Sequence, residues 1–232
     1  MRYLIKYTKG NDIKYVAHLE LMRTIQRIIR RSELPAEYSK GFNPHMILSI
    51  AQPLAVGVYS RGEYMDVHFQ EELDESYIKE KLNEASTPTI EFLDVVKIDE
   101  NDRKVPQAMA VIDAAKYTLK LKCLESNKVE YGFKELLKLD QWTTIKETKK
   151  DKKEVDIKPL IKEINYKLED NILTISTILD CGSKSNLSAQ LLGEYIRDNV
   201  DGINKDTFIN IEREEMFAYR GKELLPLSEY LK

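Results

Sequence analysis

Tyr3-Leu4-Ile5-Lys6-Tyr7-Thr8 alternates as a strand does, and Ala17-His18-Leu19-Glu20-Leu21-Met22-Arg23-Thr24-Ile25-Gln26-Arg27-Ile28-Ile29-Arg30-Arg31 repeats as a helix does. A period of two giving way to a period near 3.6 opens a β–α unit. Working outward, residues 46–50 and 63–69 read as strands. Gly57 and Arg61-Gly62 lie between them and suggest a hairpin. Residues 74–85 read as a helix capped at Asp74, with Ile78 and Leu82 to dock it. Residues 90–98 read as a strand. The order is βαββαβ, the ferredoxin-like or split βαβ arrangement. Residues 99–112, polar and containing Pro106, read as a linker. The pattern then returns. Residues 117–122 read as a strand, 129–139 as a helix, and 143–148 as a strand leading into Lys149-Lys150-Asp151-Lys152-Lys153. Residues 156–160 look like an insertion. Residues 164–168 and 172–179 form a hairpin around Glu169-Asp170-Asn171. Residues 187–200 read as a helix capped by Ser183 or Ser185, and 208–212 as a closing strand. The expected fold is α+β, two tandem ferredoxin-like (βαββαβ) domains over 1–104 and 113–232. Nothing at the residue level links the halves, so the duplication is one of pattern.

Composition sets the outer bounds. The chain has 232 residues, 42% hydrophobic and 32% charged, which is ordinary for a globular protein. Its longest apolar runs, such as Ile47-Leu48-Ser49-Ile50-Ala51, fall far short of the roughly 20 residues of a membrane span. The opening residues carry no signal-peptide pattern. Two cysteines, Cys123 and Cys181, are too few for a disulfide framework, and too few to hold a zinc or iron–sulfur centre unaided. No metal and no cofactor is expected, and a reducing cytoplasm is the expected home. The net charge of −3 conceals an asymmetry. Residues 1–61 hold 10 Lys/Arg against 4 Asp/Glu, and the remainder holds 26 against 35. A basic segment on an acidic chain suggests a local polyanion site.

The first helix carries the clearest physical signal. Leu21, Met22, Ile25, Ile28 and Ile29 share one arc of about 120°. Arg23, Arg27, Arg30 and Arg31 share another of about 100°, broken by Glu20. Like charges at helical spacing cost a few tenths of a kcal/mol each, and an anionic partner would relieve that cost. Arginine offers phosphate a bidentate fork that lysine cannot. The competing reading is a solvated face, paired with Asp74, Glu75, Glu80 and Glu84 of the second helix. His18, in the apolar arc near the helix start, reads as a packed core histidine or as a neutral general base.

Tyr38-Ser39-Lys40-Gly41-Phe42-Asn43-Pro44-His45 is the densest cluster of functional residue types. Gly41 permits a conformation that turns amides outward. Phe42 and Tyr38 suit base stacking, Lys40 adds charge, and Asn43 and His45 offer edge hydrogen bonds. The bland alternative plugs Phe42 into the core and makes Asn43-Pro44 a turn. Arg61 and Tyr59 lie near the expected hairpin tip. Glu63 and Asp66 are weak candidates for a metal or an acid–base pair, because they fall on opposite strand faces. Residues 180–186 join a strand to a helix without the spacing of a Walker A loop.

His18-Leu19-Glu20-Leu21-Met22-Arg23, Arg30-Arg31, residues 38–45, Gly57-Val58-Tyr59-Ser60, Asp156-Ile157-Lys158-Pro159 and Asn186-Leu187 together resemble a bacterial family described as radical SAM-associated. Its members are similar to the C-terminal part of certain radical SAM proteins. The resemblance implies a radical SAM protein as partner. The three-cysteine cluster of a radical SAM core is absent from this sequence, so the resemblance implies a substrate-presenting role. Tandem ferredoxin-like domains with a basic helix are also similar to CRISPR RNA-processing endonucleases, an analogy of fold alone.

The leading expectation is an RNA-binding accessory module. Arg23, Arg27, Arg30, Arg31 and Arg61 would meet phosphates, and Tyr38, Lys40, Gly41, Phe42, Asn43 and His45 bases or sugars of tRNA or rRNA. The rival is a metal-independent endoribonuclease with His18 or His45 as general base. A third reading is a protein-interaction domain for an acidic partner. No nucleophile and base share a diagnostic spacing.

Overall fold

Strand β1 (Arg2–Lys9) and helix α1 (His18–Arg31) form where the sequence period changes. The computed structural model describes residues 1–99, 105–147 and 152–232. The apolar arc of α1 is its buried face. Leu21, Ile25, Ile28 and Ile29 share one core with Tyr3, Ile5 and Tyr7 of β1, and Met22 packs against its edge. Each such burial contributes roughly 1.5–3 kcal/mol. After α1 the chain reverses at Glu33, whose φ is 58°. Isolated bridges then pair Ala36 with Phe69 and Tyr38 with Met46.

Next come β2 (Leu48–Ile50), β3 (Tyr59–His68), α2 (Glu75–Glu84) and β4 (Phe92–Ile98). The Asp74 side chain caps α2 as expected, accepting from Tyr77 N–H at 3.0 Å. The strands run antiparallel in the order β4-β1-β3. Short β2 lies along the last third of β3, with Leu48 opposite Val67 and Ile50 opposite Met65. Ile78 and Leu82 of α2 join the same core. Arg61-Gly62, expected at a hairpin tip, lies inside β3. A Cβ on Gly62 would stand 2.3 Å from the Glu214 carbonyl oxygen, so this glycine serves a close strand approach and not a turn.

The segment read as a linker is partly tied down. Arg2 donates to the carbonyls of Val105 (2.8 Å) and Pro106 (2.6 Å). Its carboxylate partner Asp66 accepts Ala108 N–H at 2.8 Å, at the start of the short helix α3 (Ala108–Val111). Residues 100–104 lie outside the described residues.

The chain divides into two compact units, residues 1–113 with 213–232, and residues 114–212. The second unit contains β5 (Ala114–Lys122), α4 (Ser126–Lys138), β6 (Thr143–Glu147), β7 (Lys152–Asp156), β8 (Ile161–Glu169), β9 (Ile172–Asp180), α5 (Ala189–Asn199) and the first residues of β10 (Asn210–Arg220). The strands β5, β9 and β8 are neighbours in that order, all antiparallel. β6 and β7 pair apart from them, which enlarges the insertion expected at 156–160. The lysine-rich turn expected at 149–153 falls largely outside the described residues. Asp170 and Asn171 make the β8–β9 turn with positive φ. The cap of α5 is Ser188, accepting from Leu191 N–H, and not Ser183 or Ser185. Trp142 and Tyr195 stack with ring centroids 5.5 Å apart. From residue 213 onward β10 belongs to the first unit, followed by β11 (Glu223–Pro226) and α6 (Leu227–Tyr230). The architecture is therefore mixed α+β. Among the described residues no helix is long and apolar enough to cross a membrane.

Candidate nucleic-acid interface

The four arginines of α1 have different surroundings. Arg23 is paired with Glu20 one turn earlier. Arg31 reaches α2, but it meets no acid there. Its Nε and Nη2 donate to the Ala85 carbonyl at 3.2 and 2.5 Å, capping the C-terminal end of that helix. Arg27 and Arg30 are exposed and have no hydrogen-bond or ion-pair partner among the described residues. The pairing with Asp74, Glu75, Glu80 and Glu84 that the competing reading offered does not form among the described residues. Asp74 is occupied by Ser76 and Tyr77 N–H, Glu75 by Lys97 N–H, and Glu84 by Lys81. The guanidinium groups of this face left without a partner among the described residues are therefore those of Arg27 and Arg30, and Arg23 is held only by an exposed ion pair.

Residues 38–46 form a narrow loop closed at its base. Tyr38 bridges Met46, and Ser39 N–H donates to His45 O at 2.8 Å. Ser39 Oγ closes the ring a second time. It accepts His45 N–H at 3.1 Å and lies 2.8 Å from His45 Nδ1. Gly41 sits at the tip with φ 127°, a conformation that L side chains rarely adopt. Phe42 is fully exposed and does not plug the core. Lys40, Asn43 and His45 are exposed beside it, and Tyr38 is 38% exposed at the base.

His18 is half-buried at the first residue of α1, and Arg61 is exposed on β3. Glu63 and Asp66 are taken by structural ion pairs. Glu63 receives Arg213 Nε at 2.8 Å and Nη2 at 2.6 Å, and Asp66 receives Arg2 Nε at 2.8 Å. All four side chains are nearly inaccessible. Tyr7 and Lys9 lie within reach of the first pair. Burial, and next the Glu63 carboxylate, push the Tyr7 phenol well above its ordinary range. Burial lowers the Lys9 ammonium, whose Nζ donates to the Lys14 and Val16 carbonyls. The groups most perturbed in the first unit are thus sealed inside it, away from the exposed loop.

Sequence reading missed the Ser39–His45 contact, since six residues separate the pair and no periodicity marks it. It also passed over His68 and Gln107. With His45, Ser49 and Asp66 they line a cavity of about 130 Å³. Among the described residues no group of three potential metal-ligating side chains converges. Cys123 and Cys181 are both buried and unpaired with each other.

No curated protein matches this chain. A crystal structure of an unknown protein from Galdieria sulphuraria is similar over 91% of this chain and 97% of that one. Its identity is 11% and its TM-score 0.25, too slight a likeness to inform the fold. A family model, DUF2344, described as an uncharacterized protein conserved in bacteria, matches residues 2–189. The match covers most of the chain, including α1 with its four arginines and the 38–46 loop, and the protein belongs to that family.

Proposed function

We propose that this protein is an RNA-binding accessory module that presents tRNA or rRNA to a radical SAM modifying partner. The observation that carries the RNA half is the closed 38–46 loop, which holds Phe42 wholly in solvent beside Lys40 and Asn43. An aromatic ring on a constrained tip has little entropy left to lose, and stacking on a base is worth about 1–3 kcal/mol. Arg27 and Arg30, exposed and unpaired among the described residues, supply a backbone-positioning charge. The partner half rests on the resemblance of the motif strings and on a chain with only two cysteines. A cytoplasmic location belongs to the same reading.

The finer fold assignment fits this role. The order β4-β1-β3-β2 in the first unit is that of a βαββαβ chain, and β5, β9 and β8 of the second unit stand in the corresponding order. We read both units as ferredoxin-like on that ground.

Anisotropy of labelled tRNA and rRNA fragments at low salt tests the function. Binding that weakens steeply with salt is expected. A chain that binds no RNA at low salt, yet captures an acidic protein surface, would overturn the RNA reading. Cleavage lost on His18→Ala or His45→Ala, with binding retained, would favour the nuclease.

A further inference from the structure

Ser49 stands directly opposite Asp66 in the β2–β3 pairing, and His68 N–H donates to Ile47 O at 3.1 Å. Met46, Ile50, Met65, Val67 and Phe69 of the same segments belong to the helix-covered core. Alternation therefore puts Ser49, Asp66 and His68 on the opposite face of the sheet. His45, at the foot of the exposed loop, and Gln107, just before α3, complete the rim of the 130 Å³ cavity there. That volume equals roughly four waters at about 30 Å³ each. It is well below the ~300 Å³ at which pockets for drug-sized ligands begin. One planar heterocycle is the natural scale of occupant.

The polar groups point to its chemistry. Asp66 brings no free charge, because Arg2 Nε and Ala108 N–H occupy its two oxygens at 2.8 Å each. Among the described residues lining the cavity there is no lysine or arginine for a phosphate and no carboxylate besides Asp66 for a metal ion. The remaining groups are two imidazoles, a hydroxyl and an amide, which offer hydrogen-bond donors and acceptors. Ser49 hydroxyl and Gln107 amide have no side-chain hydrogen bond among the described residues. Ser39 Oγ engages His45 Nδ1 at 2.8 Å, which leaves the Nε2 of His45 without a partner among the described residues. Nδ1 of His68 stands 3.8 Å from a Glu37 carboxylate oxygen, and its Nε2 has no partner among the described residues. An occupant carrying both donors and acceptors on one edge would satisfy all four groups, as the Watson–Crick edge of a nucleobase does.

We infer that the face of the first unit's sheet opposite α1 and α2 holds, beside the start of α3, a pocket for one unpaired nucleobase, read by His45, His68, Ser49 and Gln107. The identification of the heterocycle as a base of a bound strand rests on the RNA reading, and the pocket itself does not. Phe42 and this pocket flank the same loop, so a strand crossing it would stack one base and seat another.

The full chain has three histidines, which makes imidazole NMR a direct probe. Adenosine, guanosine, cytidine and uridine are added separately, and inorganic phosphate serves as the contrasting probe. At least one nucleoside is expected to shift His45 and His68 and leave His18 in place, while phosphate shifts neither. A Ser49→Ala/Gln107→Ala chain, with its spectrum otherwise intact, is expected to weaken that binding about tenfold. Nucleosides that move no imidazole, or phosphate that moves the same two, would overturn the pocket. A labelled oligoribonucleotide run in parallel separates the two proposals. If it binds and the nucleosides do not, the pocket fails and RNA binding stands. If the nucleosides bind and it does not, the pocket stands as a small-heterocycle site and RNA binding fails.

Discussion

Tyr7 and Tyr64 are buried phenols beside carboxylates, and this fixes how the fold responds to alkali. Burial raises Tyr7 first, then Glu63, with Arg213 pulling back. Burial raises Tyr64 first, then Glu215, which accepts its hydroxyl at 2.7 Å. In the unfolded chain a tyrosine ionises near pH 10. The folded protein holds these two protons beyond that point, so native binds more protons than unfolded above about pH 10. The stability that follows is fully present below pH ~10 and is lost as pH rises toward the raised native values. In a titration of phenolate absorbance, the native protein is expected to stop short of its full complement of 13 tyrosines. The remainder should ionise together with loss of circular dichroism. Ionisation of every phenol near pH 10, with the fold intact, would contradict the burial assigned to these two rings.

Helix α1 and the 38–46 loop are separate elements with separable physics. Two exposed arginines, each making one phosphate contact, contribute about −0.7 each to the slope of log affinity against log salt on single strands. Arg27→Ala/Arg30→Ala is expected to weaken RNA binding and flatten that slope by about 1.4. Arg31→Ala should change the slope little and loosen the end of α2 instead, since its guanidinium holds the Ala85 carbonyl. Phe42→Ala should weaken binding and leave the slope alone, because stacking releases no counterions. Equal slopes for the arginine pair and the native chain would remove α1 from the interface. These elements also mark how far sequence reaches. The buried and basic faces of α1 were legible because both follow from a 3.6-residue period. The exposure of Phe42 was not, since a loop phenylalanine has the same sequence signature in or out of a core. What decides it is the Tyr38–Met46 bridge and the Ser39–His45 ring, which depend on register. The placing of Arg61-Gly62 within β3 was hidden for the same reason, since Glu214 is far away in sequence.

At the scale of the whole chain, the first unit is discontinuous, and that was the least legible feature. Residues 213–220 read Arg-Glu-Glu-Met-Phe-Ala-Tyr-Arg, a charged run with no clean alternation. A strand expected to end at 212 instead continues to Arg220, because two of those charges find partners that only folding supplies. Arg213 meets Glu63 from 150 residues away. Glu215 accepts from Lys6 Nζ at 2.5 Å and from the Tyr64 hydroxyl. A boundary drawn at the linker would make residues 1–113 self-sufficient. The contacts argue otherwise. Without 213–232, Glu63 is a buried carboxylate whose partner is gone, and removing one member of such a pair costs about 3–5 kcal/mol. That is comparable to the low end of the roughly 5–15 kcal/mol by which domains are stable. Lys6 and Tyr64 lose Glu215 as well, and β3 loses the strand that meets it at Gly62. Residues 1–113 expressed alone are therefore expected to give poorly dispersed NMR spectra and no cooperative unfolding. The same residues joined through a flexible linker to 213–232 should recover both. Cooperative unfolding of 1–113 alone, matching the joined chain, would show that the returning strand is not part of that unit's stability.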